Sequence, residues 1–528
     1  MPQTEVPDEY GWMKHPSSHP YPLPKKAPWE EETITDMHAI QDGFRPLSGI
    51  DLLEQISREQ HTTEEMPVVE LDNEHVSPRT ETLMHRIRVS SLVSAAIAIL
   101  YAGQDFIWPH SPLPHGYLQD IWAWSGILWA TAAIPAVFEL IGLMMWRAPH
   151  AEARPIGNLV CYRIVSRGLN KEALAGTINA IRVQMARNPM FPYVIEAVVD
   201  TDTSEDGLPP EEGNLRYIRV PKNYSTPNGT LKKARALHYA NEPGVSLIPP
   251  KTYIMHCDEE THPTHSSIDG LAAAIREEED KCAADPQYRP RIGQGTITYH
   301  RDLDTHLFFT LSDCIRTGSD LGRLYLSMIM GVPVFGLHGS YIMIRDDVEK
   351  EISLDVGPEG SLTEDAWFGA MAMEKGYRCR WVEGHMAEQC TFKKRDFWEQ
   401  RRRWHSGLVR TSLHVPTKLR WRIGMLISMI AWSLAPLSIL YTVSHFFFGG
   451  YTDPGIRMAA NFSLAVYVAT TLVGLRVNLI DHGITSRARK IKLALTWLIY
   501  LPASSLMEAI GVSYSIVKPA KGFYVVKK

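Results

Sequence analysis

The stretch TYIMHCDEE at residues 252–260 decides how this chain is read. A mostly apolar run stops abruptly at three acids, Asp258, Glu259 and Glu260, the pattern of a buried strand that delivers carboxylates to the end of a sheet. Around it, short apolar runs at 158–165, 193–199 and 215–220 alternate with helix-like stretches at 171–185 and 268–279. Such alternation predicts an α/β domain with a mostly parallel sheet and helices on its faces. In sheets of that kind ligands bind beyond the carboxyl ends of the strands. The chemistry is therefore sought where these runs stop.

The 528-residue chain is too long for one ordinary domain, and its 45% hydrophobic and 21% charged residues are strongly segregated. A net charge of -5 lacks the basic field of a nucleic-acid binder. Six cysteines (Cys161, Cys257, Cys282, Cys314, Cys379, Cys390) form no C-x-x-C pair and read as reduced thiols. No apolar leader opens the chain, so a signal peptide is not expected.

Apolar runs flank the polar middle: 89–101, extendable through 106–108, and 121–146 before it, then 423–449, 458–480 and 491–517 after it. Residues 104–120 contain no Lys or Arg, whereas Arg147, Arg154 and Arg163 follow the second run. The positive-inside rule puts 104–120 outside and the middle in the cytosol. The loop 486–492, with Arg487, Arg489, Lys490 and Lys492, reads as cytosolic too. Three further crossings would leave Lys518, Lys521, Lys527 and Lys528 outside. Pro502 and Glu508 interrupt the last run, which is expected to re-enter and return the tail to the cytosol. The expected division is a disordered extension at 1–87 (with a short helix near 50–57), two membrane helices at 88–148, the α/β domain at 149–390, amphipathic interfacial helices at 391–421, transmembrane or re-entrant helices at 422–517, and a cytosolic tail at 518–528.

Four clusters carry the candidate chemistry. Asp200-Thr201-Asp202 follows an apolar run, and a carboxylate there suits a nucleotide base or ribose, although an Asp-rich turn is as plausible. Asp258 and Glu260 stand at i and i+2, on one side of an extended segment, and suit Mg²⁺ or Mn²⁺ on a diphosphate. His256, His262 and His265 nearby have no zinc-site spacing. Thr363-Glu364-Asp365 opens a helical stretch, either as a plain cap or with Asp365 as a general base. Gln400-Arg401-Arg402-Arg403-Trp404 lies in a basic amphipathic stretch. It reads either as an interfacial helix or as a cluster offering Arg to phosphate and Trp to a sugar face. Glu139, Arg476 and Glu508 lie in or beside apolar runs, where helix-tying ion pairs or headgroup contacts are the plainer reading and a glycan conduit the bolder one.

In this order and spacing, the D-x-D-like, T-E-D and Q-x-x-R-W clusters resemble the membrane-bound family-2 glycosyltransferases, which include cellulose, chitin and hyaluronan synthases. The runs Arg163–Gly168, Lys233–Leu237, Asp258–Thr261, Gly293–Gly295, Glu364–Ala366, Gln400–Trp404 and Phe523–Lys527 look like the Egghead-type branch, β-1,4-mannosyltransferases that use GDP-mannose. The resemblance spans about 154–528 and implies a GT-A-like catalytic domain between membrane helices. It implies that Ser166, Arg167 and Asp200 border the nucleotide base, with Lys233 and Arg235 on the nucleotide. Asp258 and Glu260 would hold Mn²⁺ or Mg²⁺, with Glu in place of the second Asp. Asp365 would be the base, and Gln400, Arg403 and Trp404 would close over the diphosphate and acceptor. His338-Gly339-Ser340 stands where related synthases carry a Cys-Gly-Ser or Cys-Gly-Thr turn at the acceptor, and Glu364 belongs to the same side. The expected activity is an inverting single displacement from a nucleotide sugar, GDP-mannose first, to a glycan or glycolipid acceptor. The alternative is a processive, UDP-sugar-dependent synthase that exports a β-glycan. A non-enzymatic scaffold is disfavoured because acids stand at every expected site.

Overall fold

The computed structural model describes residues 77–107, 125–149, 153–200, 208–448 and 453–522. The expected extension up to residue 76, residues 108–120 of the first linker, the first four residues of the apolar run 121–146, Thr201 and Asp202, and the terminal run 523–527 lie outside the described residues. Eight strands form one sheet: β1 (Val160–Ser166), β2 (Tyr193–Val199), β3 (Leu215–Arg219), β4 (Tyr253–Asp258), β5 (His262–Pro263), β6 (Ile292–Thr298), β7 (Ile342–Arg345) and β8 (Cys379–Ala387). In chain order the main helices are α1 (Pro78–Ile107), α2 (Ala133–Met145), α3 (Lys171–Arg187), α4 (Lys232–Tyr239), α5 (His265–Ala284), α6 (Leu307–Ser319), α7 (Glu364–Glu374), α8 (Lys394–His414), α9 (Leu419–Phe448), α10 (Pro454–Asp481) and α11 (Arg487–Val517).

The strands lie in the order β3-β2-β1-β4-β7-β6-β8-β5. The first four are parallel, as the alternating pattern predicts. The other half is mixed: β7 runs antiparallel to β4 and β6, β8 is parallel to β6, and β5 is antiparallel to β8. Parallel strands need crossovers, and α3 and α4 supply two of them. Apolar residues of α3 and α5 cover one face; α4 and α7 cover the other. The chain leaves β1 toward β2 on one side and later returns to β4 on the other. The switch point between β1 and β4 opens a crevice at the ends of both strands.

A row of charged side chains crosses the sheet just below that crevice. Arg216, Glu196, Arg163 and His256 occupy neighbouring register positions on β3, β2, β1 and β4. Arg163 is fully buried and bonds Glu196 at 2.8 Å, Asn241 at 2.7 Å and Glu349 at 3.3 Å. Glu196 also binds Arg216, and Glu349 stands 3.0 Å from His256 Nε2. Removing one member of such a buried pair strands the other charge, at a cost of about 3–5 kcal/mol. The row clamps four parallel strands in register and commits His256 to Glu349.

Four helices among the described residues are long and apolar enough to cross a membrane: Pro78–Gln104, Leu419–Tyr441, Pro454–Asp481 and Arg487–Val517; Ala133–Met145 is shorter. The first begins well before the apolar run at 89–101. The α/β domain meets these helices through glycines. A Cβ on Gly318 of α6 would lie 2.0 Å from Thr470 O, and one on Gly474 of α10 would lie 2.0 Å from Cys314 O. A Cβ on Gly142 of α2 would lie 2.0 Å from Gly322 O, in a π-helical turn that follows α6. Glu139 of α2 contacts Ser319 at 3.3 Å and Arg323 at 3.5 Å. Glu508 of α11 pairs with Arg401 at 2.7 Å. Two of the three ionisable residues in the apolar runs thus tie helices together.

The last helix is continuous through Pro502 rather than interrupted there. Arg489 near its start bonds Asp304 at 2.9 Å. Beyond its end Lys518 O accepts from Arg402 Nε at 2.7 Å, and Ala520 O accepts from Arg410 Nη2 at 2.8 Å. Both ends of a helix about 46 Å long are therefore bonded to the α/β domain or to α8.

The α6–α10 crossing gives a direct test. Gly474→Val should drive a side chain into the α6 backbone and destabilise the detergent-solubilised protein by about 1–3 kcal/mol or more. Gly103→Ala, inside α1 and with nothing within 4 Å of its Cβ, should leave thermal stability unchanged or slightly raised.

Candidate functional site

Strand ends, two helix starts and one turn converge at the switch point. β4 delivers Asp258, whose side chain remains 35% exposed. Its Oδ1 accepts from Lys233 Nζ at 2.5 Å. Lys233 is the second residue of α4; the same ammonium reaches Gly339 O at 2.7 Å and Glu364 Oε1 at 3.5 Å. Burial opposes the Lys233 charge, but the Asp258 and Glu364 carboxylates outweigh it and hold the ammonium above its ordinary range.

Asp365 stands beside Glu364 in the first turn of α7, and its Oδ1 accepts the Ala366 N–H at 2.8 Å. Thr363 makes no side-chain cap, contrary to the plain capping alternative; its hydroxyl meets Thr411 of α8 at 3.0 Å and joins the two helices. Burial pushes the Asp365 carboxyl up, and the Glu364 charge pushes the same way, against Lys233 and Arg403. Arg403 of α8 is half-buried, and desolvation lowers its pKa, while Glu364, Asp258, Asp365 and Glu260 all favour its charge. Gly339 is the junction of this group. A Cβ there would lie 2.9 Å from Lys233 Nζ, 3.4 Å from Asp365 Oδ2 and 3.8 Å from Asp258 Oδ2.

The residues expected at the nucleotide base also gather. Asp200 N–H donates to Ser166 O at 3.0 Å, and the Asp200 carboxylate pairs with Arg235. Ser166 Oγ donates to Glu259 at 2.5 Å and accepts from Gly168 N. Arg167, half-buried, leads out of β1. The middle acid of Asp258-Glu259-Glu260 thus turns to Ser166, away from Asp258.

Other expected residues are placed differently. Gln400 is buried and its Oε1 accepts from Arg401 at 3.1 Å. The guanidiniums of Arg316 and Arg401 lie 4.4 and 4.5 Å from the Trp404 ring, so cations rather than an open sugar face engage it. Arg401 itself pairs with Asp313 at 2.6 Å. Ser340 Oγ points to Glu388, so of the His338-Gly339-Ser340 turn only Gly339 touches the acidic centre directly. His265 is exposed beside Asp269, His262 is half-buried next to α3, and His256 is held by Glu349. The three histidines do not converge.

Gln294, Asp320 and Glu388 are supports not singled out by role in the sequence. Gln294 on β6 donates to Ser340 O at 2.9 Å and Tyr341 O at 3.2 Å, and its Oε1 accepts His338 N–H at 2.9 Å. Gly293 and Gly295 flank it because Cβ atoms there would meet Val382 at 2.4 Å and the Tyr341 ring at 2.2 Å. Among the described residues no group of three or more His, Cys, Asp or Glu side chains forms a metal cage. A two-acid donor set still fits Mg²⁺ or Mn²⁺, which commonly take their other ligands from substrate phosphate and water. The open Oδ2 side of Asp258, cleared by Gly339, is consistent with that.

Comparison with known proteins places the chain in a family. Residues 253–476 match the model for "Glycosyl transferase family group 2". The chain is 31% identical over 340 residues to a β-1,4-mannosyltransferase, bre-3, of Caenorhabditis briggsae, covering 63% of this chain and 72% of that protein. It is 30% identical over 381 residues to β-1,4-mannosyltransferase egh of Drosophila melanogaster, covering 70% and 78%. A solved mannosyltransferase, PcManGT from Pyrobaculum calidifontis with GDP-Man and Mn²⁺, aligns at 12% identity and a TM-score of 0.37 over 81% of this chain and 99% of that one. The chain belongs to the Egghead-type family-2 glycosyltransferases, and its enzymatic class is hexosyltransferase.

Gly339→Ala should reduce nucleotide release from the donor sugar by about tenfold or more, because its methyl crowds both the Lys233 ammonium and the Asp365 carboxylate. Thermal unfolding should stay near wild type, which separates a site effect from a folding defect.

Proposed function

We propose that the protein transfers mannose from GDP-mannose to a lipid-linked or glycan acceptor in one inverting displacement, forming a β-linkage. The observation that carries this reading is the convergence of Asp258, Lys233, Glu364, Asp365 and Arg403 around Gly339. The activity of the β-1,4-mannosyltransferase relatives supports mannose as the sugar.

In this reading Asp365 takes the proton of the acceptor hydroxyl as its oxygen attacks the anomeric carbon. Its raised affinity for a proton suits that task. The leaving diphosphate departs toward Lys233 and Arg403, whose half-buried charges favour the negative charge developing there. Asp258 and Glu260 would hold the divalent metal, whose contribution is further positive charge on the diphosphate. Asp200 and Arg235 border the nucleotide base, with Ser166 holding the β1 exit loop in place.

The α/β domain faces the cytosol in this account, and α11 lies along its membrane side instead of crossing. Bonds from both ends of α11 to the domain and α8 support that orientation. So does an outward apolar stripe that includes Ile491, Leu495, Ile499, Leu506 and Ile516. The basic tail then stays on the cytosolic side, in agreement with the charge rule.

Two tests follow. Asp365→Asn should lower mannosyl transfer by about 10²-fold or more while GDP binding persists, and EDTA should abolish transfer until Mn²⁺ or Mg²⁺ is restored. Near-normal transfer by folded Asp365→Asn protein would remove Asp365 from the role of base. Asn223 and Asn228 are exposed and both stand in N-x-S/T sequences. Expressed in a eukaryotic host, the protein should carry no N-glycan at either position; a glycosidase-sensitive mass shift there would put the domain on the other side of the membrane.

A further inference from the structure

The turn at 333–336 joins the α/β domain to two apolar helices. Its Gly336 has φ +89°, and a Cβ there would lie 2.9 Å from the Cβ of Ala366, the residue after Asp365. On the other side, Gly424 of α9 lets Val334 approach, since a Cβ on Gly424 would lie 2.2 Å from Val334 Cγ1. Phe335 meets Phe138 of α2 edge-on, with ring centroids 5.6 Å apart. Val334 and Phe335 form the floor of an apolar groove, walled by Ile134 and Phe138 of α2 and by Ile423 and Ile427 of α9. Ile134 and Ile423 are exposed, and the exposed Val137, Ile141 and Ile430 continue the apolar surface along both helices.

One end of the groove is charged. Arg420 and Trp421 line it, and the guanidiniums of Arg420 and Arg378 lie 4.4 and 5.9 Å from the Trp421 ring. Both arginines are exposed. Glu374, within electrostatic reach of Arg420, is committed to Lys418: it accepts the Lys418 N–H at 3.0 Å and meets the ammonium at 3.4 Å. Cations and a Trp at the end of an apolar helix mark the level of lipid headgroups. At about 1.5 Å per residue, Ile423 and Ile427 lie about 5 and 10 Å further along α9. The headgroup layer of a leaflet is about 5–8 Å deep, so a lipid with its phosphate at Arg420 has its hydrocarbon beside them.

We propose that this groove between α2 and α9 binds an anionic phospholipid, with its phosphate at Arg420 and Arg378 and one acyl chain against the apolar walls. Guanidiniums suit phosphate by charge and by their fork of donors. A soluble phosphate would leave the walls uncovered, and a neutral lipid would not answer the two cations. The inference is independent of the sugar transfer and of the side on which the domain lies. A seated lipid braces the 333–336 turn and, through Gly336, the start of α7 that carries Asp365.

The test mixes delipidated full-length protein in detergent with dioleoylphosphatidylglycerol, dioleoylphosphatidylcholine, monoglucosyl diacylglycerol or inorganic phosphate. Native mass spectrometry reads retention, and thermal unfolding reads stabilisation. Wild type should retain phosphatidylglycerol about fivefold or more over the other two lipids, and the bound lipid should raise its unfolding temperature. Arg420→Gln should cut that retention by about fivefold, the order for one arginine at a charged membrane surface. Ile134→Trp should block the groove and cut it as well. Arg487→Gln, at an exposed arginine that opens α11, should match wild type. Without lipid all three variants should unfold with wild type, because each side chain is exposed. Equal retention of the three lipids would overturn the proposal, as would stabilisation by inorganic phosphate alone or a preference for the neutral glycolipid. An equal loss in Arg487→Gln would reduce the effect to diffuse charge, and an early-unfolding Arg420→Gln that still retains phosphatidylglycerol would mark Arg420 as structural. Either result contradicts the site.

Discussion

The structure depends on holding Asp258, Glu364 and Asp365 together at the end of a parallel sheet. Like charges this close raise each other's proton affinity and oppose burial. Lys233 and Arg403 make the arrangement tolerable, and both are partly enclosed among acids that favour their charge. Each cation comes from a different part of the chain: Lys233 from the start of α4, and Arg403 from the amphipathic helix that follows β8. The catalytic domain and the membrane-proximal helix are therefore parts of one electrostatic unit.

The remainder of the fold serves that unit at two levels. Beneath it, the Arg216–Glu196–Arg163–His256 row fixes the register of the strands whose ends carry Ser166, Asp200 and Asp258. Beside it, Arg401 binds Asp313 of α6 and Glu508 of α11, so α8 is braced from two directions while its neighbour Arg403 faces the acids. The glycine contacts at Gly318, Gly474, Gly142 and Gly322 bring α6 and the turn after it close to α10 and α2. That turn carries Asp320 to His338, one residue before Gly339. Positions that look remote in sequence thus bear on the site through short, rigid connections.

Much of this was legible from the chain alone. The strand at 193–199 matches β2 at both ends, and the acids after the 252–257 run mark the site because side chains at a strand terminus leave the packed core. The mixed half of the sheet was not legible. β6 has the sequence IGQGTIT and is buried throughout, yet its glycines and glutamine break any apolar pattern. Those glycines make sense only once Val382 and Tyr341 are seen to fill the space. Asp320, Asp313 and Glu388 were invisible for a related reason, since a lone acid in a helix or loop carries no periodic signal. The sequence left the Q-x-x-R-W residues as one cluster, whereas the structure divides them: Arg403 turns to the acids, and Gln400 and Trp404 turn to Arg401.

The central claim is that one displacement, aided by Asp365 and the half-buried cations, converts an α-linked nucleotide mannose into a β-linked product. The most direct measurement is the anomeric configuration of the product formed by purified protein from GDP-mannose, read from the one-bond carbon–hydrogen coupling at its anomeric carbon. The account predicts β-mannoside. An α-mannoside would contradict it, because retention requires a second displacement or a different attacking group from the one this site provides.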